Sequence, residues 1–120
     1  MRKFLVVHYN PIGEACLNLL AEQRTAATAY LADPRPASEF KSAIRKFKRL
    51  MITYFLGGNQ QDNWDLSYHY VIVCGEETSF SKKVQGKRIS PQALAEMFPG
   101  EWANALLRIQ DAHPIPSAAG

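Results

Sequence analysis

Between Glu39 and Asp62 the chain carries no acidic residue. Five cations fall in that interval, namely Lys41, Arg45, Lys46, Lys48 and Arg49. A helical surface needs only some polar cover, so five cations without one carboxylate exceed what solvation demands. Cysteine is scarce as well. Cys16 and Cys74 are too few for a disulfide framework or a paired Cys-x-x-Cys zinc site. Each is expected to act as a small buried hydrophobe in a reducing, cytoplasmic setting. No apolar run approaches the length of a membrane span, which sets membrane partners aside. The opening MRKFLVVHYN lacks a signal-peptide cleavage pattern, and its apolar centre is of strand length. The His-Glu-x-x-His, Gly-x-Gly-x-x-Gly and Gly-x-x-x-x-Gly-Lys-[Ser/Thr] patterns are all missing.

What is present suits one domain, expected over residues 1–112, with residues 113–120 as a disordered tail. The net charge of +3 is modest, but nine of the fourteen basic residues fall in two blocks. One is Lys41–Arg49; the other holds Lys82, Lys83, Lys87 and Arg88. Such clustering says more about partners than the net charge does.

Local signals predict the elements. Lys3–Tyr9 reads as a strand, and Asn10-Pro11 as a cap and first turn. A helical stripe of Ile12, Cys16, Leu19, Leu20, Ala27, Tyr30 and Leu31 carries that helix to about Leu31, where Asp33-Pro34-Arg35-Pro36 breaks it. A second helix is expected from about Ala37 to Leu56, stopped by Gly57-Gly58. Leu66–Cys74 reads as a strand and Ser79–Ile89 as a weaker basic strand or hairpin. Ser90-Pro91 opens a third helix, and a fourth covers Glu101–Ile109. The order β-α-α-β-β-α-α predicts an α+β domain with a small, mainly antiparallel sheet of three or four strands. An αα-hairpin and a C-terminal helix pair are expected to pack on it.

In that arrangement the first two strands run antiparallel, and one register sets His8 beside His69 with Asp65 in the adjoining loop. Two imidazoles and a carboxylate suit a transition metal or acid–base work, so a small metalloprotein or hydrolase is the alternative reading. A half-buried, hydrogen-bonded pair is the plainer one. At Asn10–Gly13 a helix N-terminus invites comparison with phosphate loops. Pro11 removes a donor and only one glycine is present, and the strands look too few for a doubly wound sheet. A nucleotide or flavin site is therefore excluded. In Ser90–Ile109 the second helix offers one Asn and mostly apolar residues, unlike a recognition helix. Trp102, Leu106 and Ile109 are expected to be buried. Trp64, in a polar loop, sharing strand parity with Tyr68 and Tyr70, is either an interface anchor or a lid on the sheet.

The basic helix is the preferred surface. Phe40, Ile44, Phe47, Met51 and Tyr54 form its apolar stripe, while Lys41, Arg45, Lys48 and Arg49 form a cationic one. Lys41–Arg45 and Arg45–Arg49 are like-charged i,i+4 pairs, each costing a few tenths of a kcal/mol, which an anionic partner would offset. Glu14, Glu22 or Glu39 could instead neutralise the stripe within the fold. The second block extends the surface only if it lies beside the helix. The reading is a non-catalytic binding protein without a cofactor. Its partner is nucleic acid or an acidic protein or nucleoprotein surface, met as a small regulator or inhibitor of a nucleic-acid-handling complex. An open sheet edge leaves a homodimer available.

Overall fold

Asn10 and Pro11 open the first helix of the computed structural model, the Asn10 side chain accepting from the Gly13 amide at 2.8 Å. Residues 2–23, 25–49, 52–57 and 66–113 are described, 52–57 by backbone alone. Their elements run β1 (Arg2–Val7), α1 (Pro11–Glu22), β2 (Ala27–Asp33), a 3₁₀ turn (Ala37–Phe40) and α2 (Lys41–Arg49). Then come β3 (Ile52–Gly57), β4 (Ser67–Val73), α3 (Ser79–Lys83), β5 (Gln85–Arg88), α4 (Pro91–Met97) and α5 (Glu101–Ala112). The Ser90-Pro91 start is as read, with the Ser90 hydroxyl accepting from the Ala93 amide.

Among the described residues the sheet has five strands in the order β3-β2-β1-β4-β5, and every pairing is parallel. This overturns the mainly antiparallel expectation and its αα-hairpin. The cause lies in two segments. Ala27–Asp33 continues the helical spacing of α1, and Ile52–Gly57 continues that of α2, but both are strands. Their Thr, Tyr, Ile and Phe content favours a pleated, half-buried surface. With a strand directly after α1 and after α2, the chain returns to the sheet in the same direction each time.

The order also sets the faces. From β1 the chain steps to β2 and β3 on one side; from β4 it steps to β5 on the other. Right-handed crossovers then put the connecting helices on opposite faces. Accordingly, Ile12, Cys16, Leu19 and Leu20 of α1 pack with Phe4, Val6, Ala29, Leu31 and Ile72. Phe47 of α2, Leu94 of α4 and Leu106 of α5 join this cluster. On the reverse face Phe80 and Val84 pack with Leu5, Val7, Ala32 and Val71. Burying each of these Val, Leu, Ile and Phe side chains contributes about 1.5–3 kcal/mol. Trp102 departs from expectation: it lies exposed on α5, its indole N–H donating to Glu22 at 3.2 Å.

Tyr68 and Tyr70 do not share a face. Ser67 pairs with Gln85 and Tyr70 with Lys87, so β4 spends three residues where β5 uses two. The extra residue is a β-bulge, which turns the following side chains over. Tyr70 stacks on Phe4 with ring centroids 5.1 Å apart, whereas Tyr68 meets Tyr30 edge-on across the other face. Gly86 lies against this irregularity. A Cβ there would sit 2.9 Å from the Tyr68 carbonyl oxygen, so only glycine lets β5 approach.

Candidate docking surface

Helix α2 is held by two aromatic residues one side of the cation row. Phe40 and Phe47 are buried, and the Tyr9 ring meets both edge-on at 5.5 and 6.3 Å. Ala43 and Ile44 are half-buried. Every other described residue of α2 is exposed, and apart from Ser42 each is a cation: Lys41, Arg45, Lys46, Lys48 and Arg49. Lys46 leans over the Phe47 ring at 4.9 Å. Among the described residues none of these five forms an ion pair. The carboxylates that were candidates to neutralise them act elsewhere. Glu14 accepts from the Tyr9 hydroxyl, Glu22 accepts from Trp102, and Glu39 bears on Arg35. Lys46, Lys48 and Arg49 stand in the last turn, where the helix dipole favours positive charge.

The second basic block does not join this surface. β5 is at the sheet edge opposite β3, four strand spacings away, or about 19 Å. The block is also divided within itself. Lys82 and Lys83 are on α3, on the reverse face of the sheet. Lys87 is level with Tyr70, and hence on the α1 side. Arg88 serves the fold: it reaches the Ser81, Val84 and Gly86 carbonyls at 2.5, 3.0 and 3.1 Å and pairs with Glu77 at 3.3 Å. Burial works to raise the Glu77 carboxyl, but hydrogen bonds from Ser81 and Arg88 and the nearby Lys82 charge hold it below the usual range.

The histidine pair is not formed. Because β1 and β4 are parallel, His8 follows the end of β1 level with Cys74, while His69 is near the start of β4. Five residues of strand, roughly 16 Å, separate the two levels. The His69 Nδ1 accepts from the Lys3 amide at 2.8 Å and so substitutes for a ladder carbonyl. Among the described residues no group of three His, Cys, Asp or Glu could hold a metal ion. Asp65 and Trp64 lie outside the described residues, as does the tail from 114 onward.

The strand order reverses between β1 and β4, and in open parallel sheets the crevice beyond such strand ends is where ligands bind. The expectation of too few strands for a doubly wound arrangement is thus corrected. At that crevice, polar groups of the chain bond to one another. Asn10 donates to the Cys74 carbonyl at 2.6 Å while its oxygen caps α1, joining the two strand ends. His8, at φ +80, lays its ring over Gly75 and its Nε2 against the Glu76 carbonyl. A Cβ at Gly13 would fall 2.2 Å from the His8 carbonyl oxygen, so α1 starts hard against the turn.

At the end of β2, buried Asp33 accepts from the Tyr9 amide at 2.8 Å and from three nitrogens of Arg35 at 2.9 Å. Burial pushes the Asp33 carboxyl up, but those hydrogen bonds prevail and leave it below its ordinary value. Arg35 also reaches the Tyr9 carbonyl and stacks 4.3 Å from the Phe40 ring. The amide, carboxylate and helix-end positions that recognise a dinucleotide in such sheets are therefore occupied internally. Asp33-Pro34-Arg35-Pro36 is thus more than the helix breaker that its prolines predict. Its signal was an acid and an arginine two residues apart, the reach of an Asx-type turn.

Cys16 and Cys74, distant in sequence, meet in the core between α1 and the end of β4. The hydrogen bond to Cys74 and burial push the Cys16 thiol well above its usual range, so it stays un-ionised and unreactive. No helix among the described residues is long and apolar enough to cross a membrane. Compared with protein-family models, curated proteins and solved structures, the chain matches none.

Proposed function

We propose that this chain is a non-catalytic binding protein that docks on an acidic partner through the exposed face of α2. One observation carries the reading: five exposed cations share one helix, and no described carboxylate pairs with them. Among the described residues no carboxylate offsets their mutual repulsion, so an external anion would. Two features lend support by removing competitors. At the sheet's ligand crevice Asn10 and His8 bond to the chain's own carbonyls, as Arg35 does beside the end of β2. The His8 and His69 levels are too far apart for a shared metal or proton. Occupying a nucleic-acid or protein docking site without chemistry of its own, the chain would act as a small regulator or inhibitor of a nucleic-acid-handling complex.

The test is capture from lysate with tagged protein, comparing wild type with the combined Lys41→Glu, Arg45→Glu, Lys48→Glu and Arg49→Glu variant. Circular dichroism verifies that the variant keeps its fold. The expected result is loss of capture with the fold intact. Equal capture by the two proteins would remove the reading.

A further inference from the structure

We infer that the partner of α2 is the phosphate backbone of a nucleic-acid duplex, met by this one helix and without regard to base sequence. This rests on the docking reading above and names its partner. The argument turns on what the exposed face of α2 lacks. Protein interfaces have a core depleted of charge and anchored by aromatic or aliphatic side chains. Here the two large aromatics, Phe40 and Phe47, face inward, and Ala43 and Ile44 are half-buried. What remains outside is five cations and Ser42, an inventory that fits phosphate oxygens.

The spacing agrees. Lys41, Arg45 and Arg49 follow one another at four-residue steps, roughly 6 Å each along the axis, forming a straight cationic row. A row of equal charges suits a regular polyanion better than the uneven surface of an acidic protein. α2 carries no Asn, Gln or acid to pair with adenine or cytosine edges, and its straight row of cations matches the repeat of the backbone rather than a pattern of bases. No aromatic ring on its exposed face is available to stack unpaired bases, which favours duplex over single strand. The dispersal of Lys82, Lys83, Lys87 and Arg88 over two faces keeps them out of the footprint, which limits the contact to four or five phosphates.

Counterion release turns that limit into a measurement. Neutralising four to five phosphates gives a slope of about −4 for the logarithm of affinity against the logarithm of salt. Affinity should thus weaken about 250-fold between 50 and 200 mM salt. The experiment is fluorescence anisotropy with short labelled duplexes of two unrelated sequences, and with one of the single strands, over that salt range. Wild type should bind both duplexes alike, and the single strand less tightly. Lys48→Gln should flatten the slope by about one. Arg108→Gln, exposed on α5, should leave it unchanged.

A slope near −7, tenfold discrimination between the duplexes, or tighter binding of the single strand would overturn the inference. So would the absence of duplex binding by a protein that still captures an acidic partner through α2 after nuclease treatment. In that last case the docking reading stands. It falls only if capture is indifferent to the four charge reversals.

Discussion

Five cations lie within Lys41–Arg49 and four within Lys82–Arg88, yet only the first segment presents them together. The first is a helix in which the apolar residues and the cations each recur at helical spacing, so the two sets separate into a buried side and an exposed side. In the second, a one-turn helix gives way to a strand, and the alternating direction of strand side chains sends Lys87 and Arg88 to opposite faces. Glu77 then neutralises Arg88, while Lys82 lies close enough to that carboxylate to influence its ionisation. Composition alone does not make a charged surface; the period of the element that carries it does.

This contrast can be broken first at the anchor of α2. Phe47→Ala removes a side chain that is 2% exposed, and a loss of about 3–5 kcal/mol in urea unfolding is expected. A loss under about 1 kcal/mol would mean that α2 is not seated through this ring, since core truncations rarely cost so little. Next in size is Arg88→Ala, expected to cost about 1–3 kcal/mol because Glu77 and three carbonyls lose their donor. Capture by α2 should not change. If capture fell instead, the two basic segments would be one surface.

Acid sharpens the comparison further. The carboxyls of Asp33 and Glu77 both titrate below their ordinary values. A carboxylate held low in the folded state contributes stability above its unfolded value, near pH 4, and loses it as pH falls through the folded value. Unfolding midpoints should therefore fall steadily below about pH 4.5. In Arg35→Gln the Asp33 share of that fall should shrink; an identical acid profile would show that Arg35 does not hold the carboxylate. The smallest effect belongs to Lys48→Gln, expected within about 0.5 kcal/mol of wild type, since Lys48 is exposed and has no ion-pair partner among the described residues.

The legible parts of the fold were those written by neighbouring residues. Asn10-Pro11 and Ser90-Pro91 start helices through their own side chains, and Leu66–Cys74 declares a strand through its β-branched and aromatic run. Ala27–Asp33 and Ile52–Gly57 read as helix because their apolar residues fall in helical phase with the preceding segments. Only pairing into a parallel sheet, a long-range property, decides such cases. The helical reading reverses β4 and produces the His8–His69 pair. The cations of α2 were legible as a set, since spacing shows them; their freedom from Glu14, Glu22 and Glu39 was not, being a matter of distances in space. Likewise, the bulge that separates Tyr68 from Tyr70 leaves no mark in the sequence beyond Gly86.

The stitching of the crevice has a consequence for anyone wishing to redesign this chain. Asn10, His8 and Arg35 hold together the ends of β1, β2 and β4 with the same atoms that a small molecule lodged there would need. Opening the site for a cofactor means withdrawing three sutures at three strand ends, and each withdrawal loosens the scaffold meant to receive the guest. Stability and receptivity compete here for one set of donors and acceptors, so new chemistry is more readily grafted onto the outer face of α2 than into the sheet.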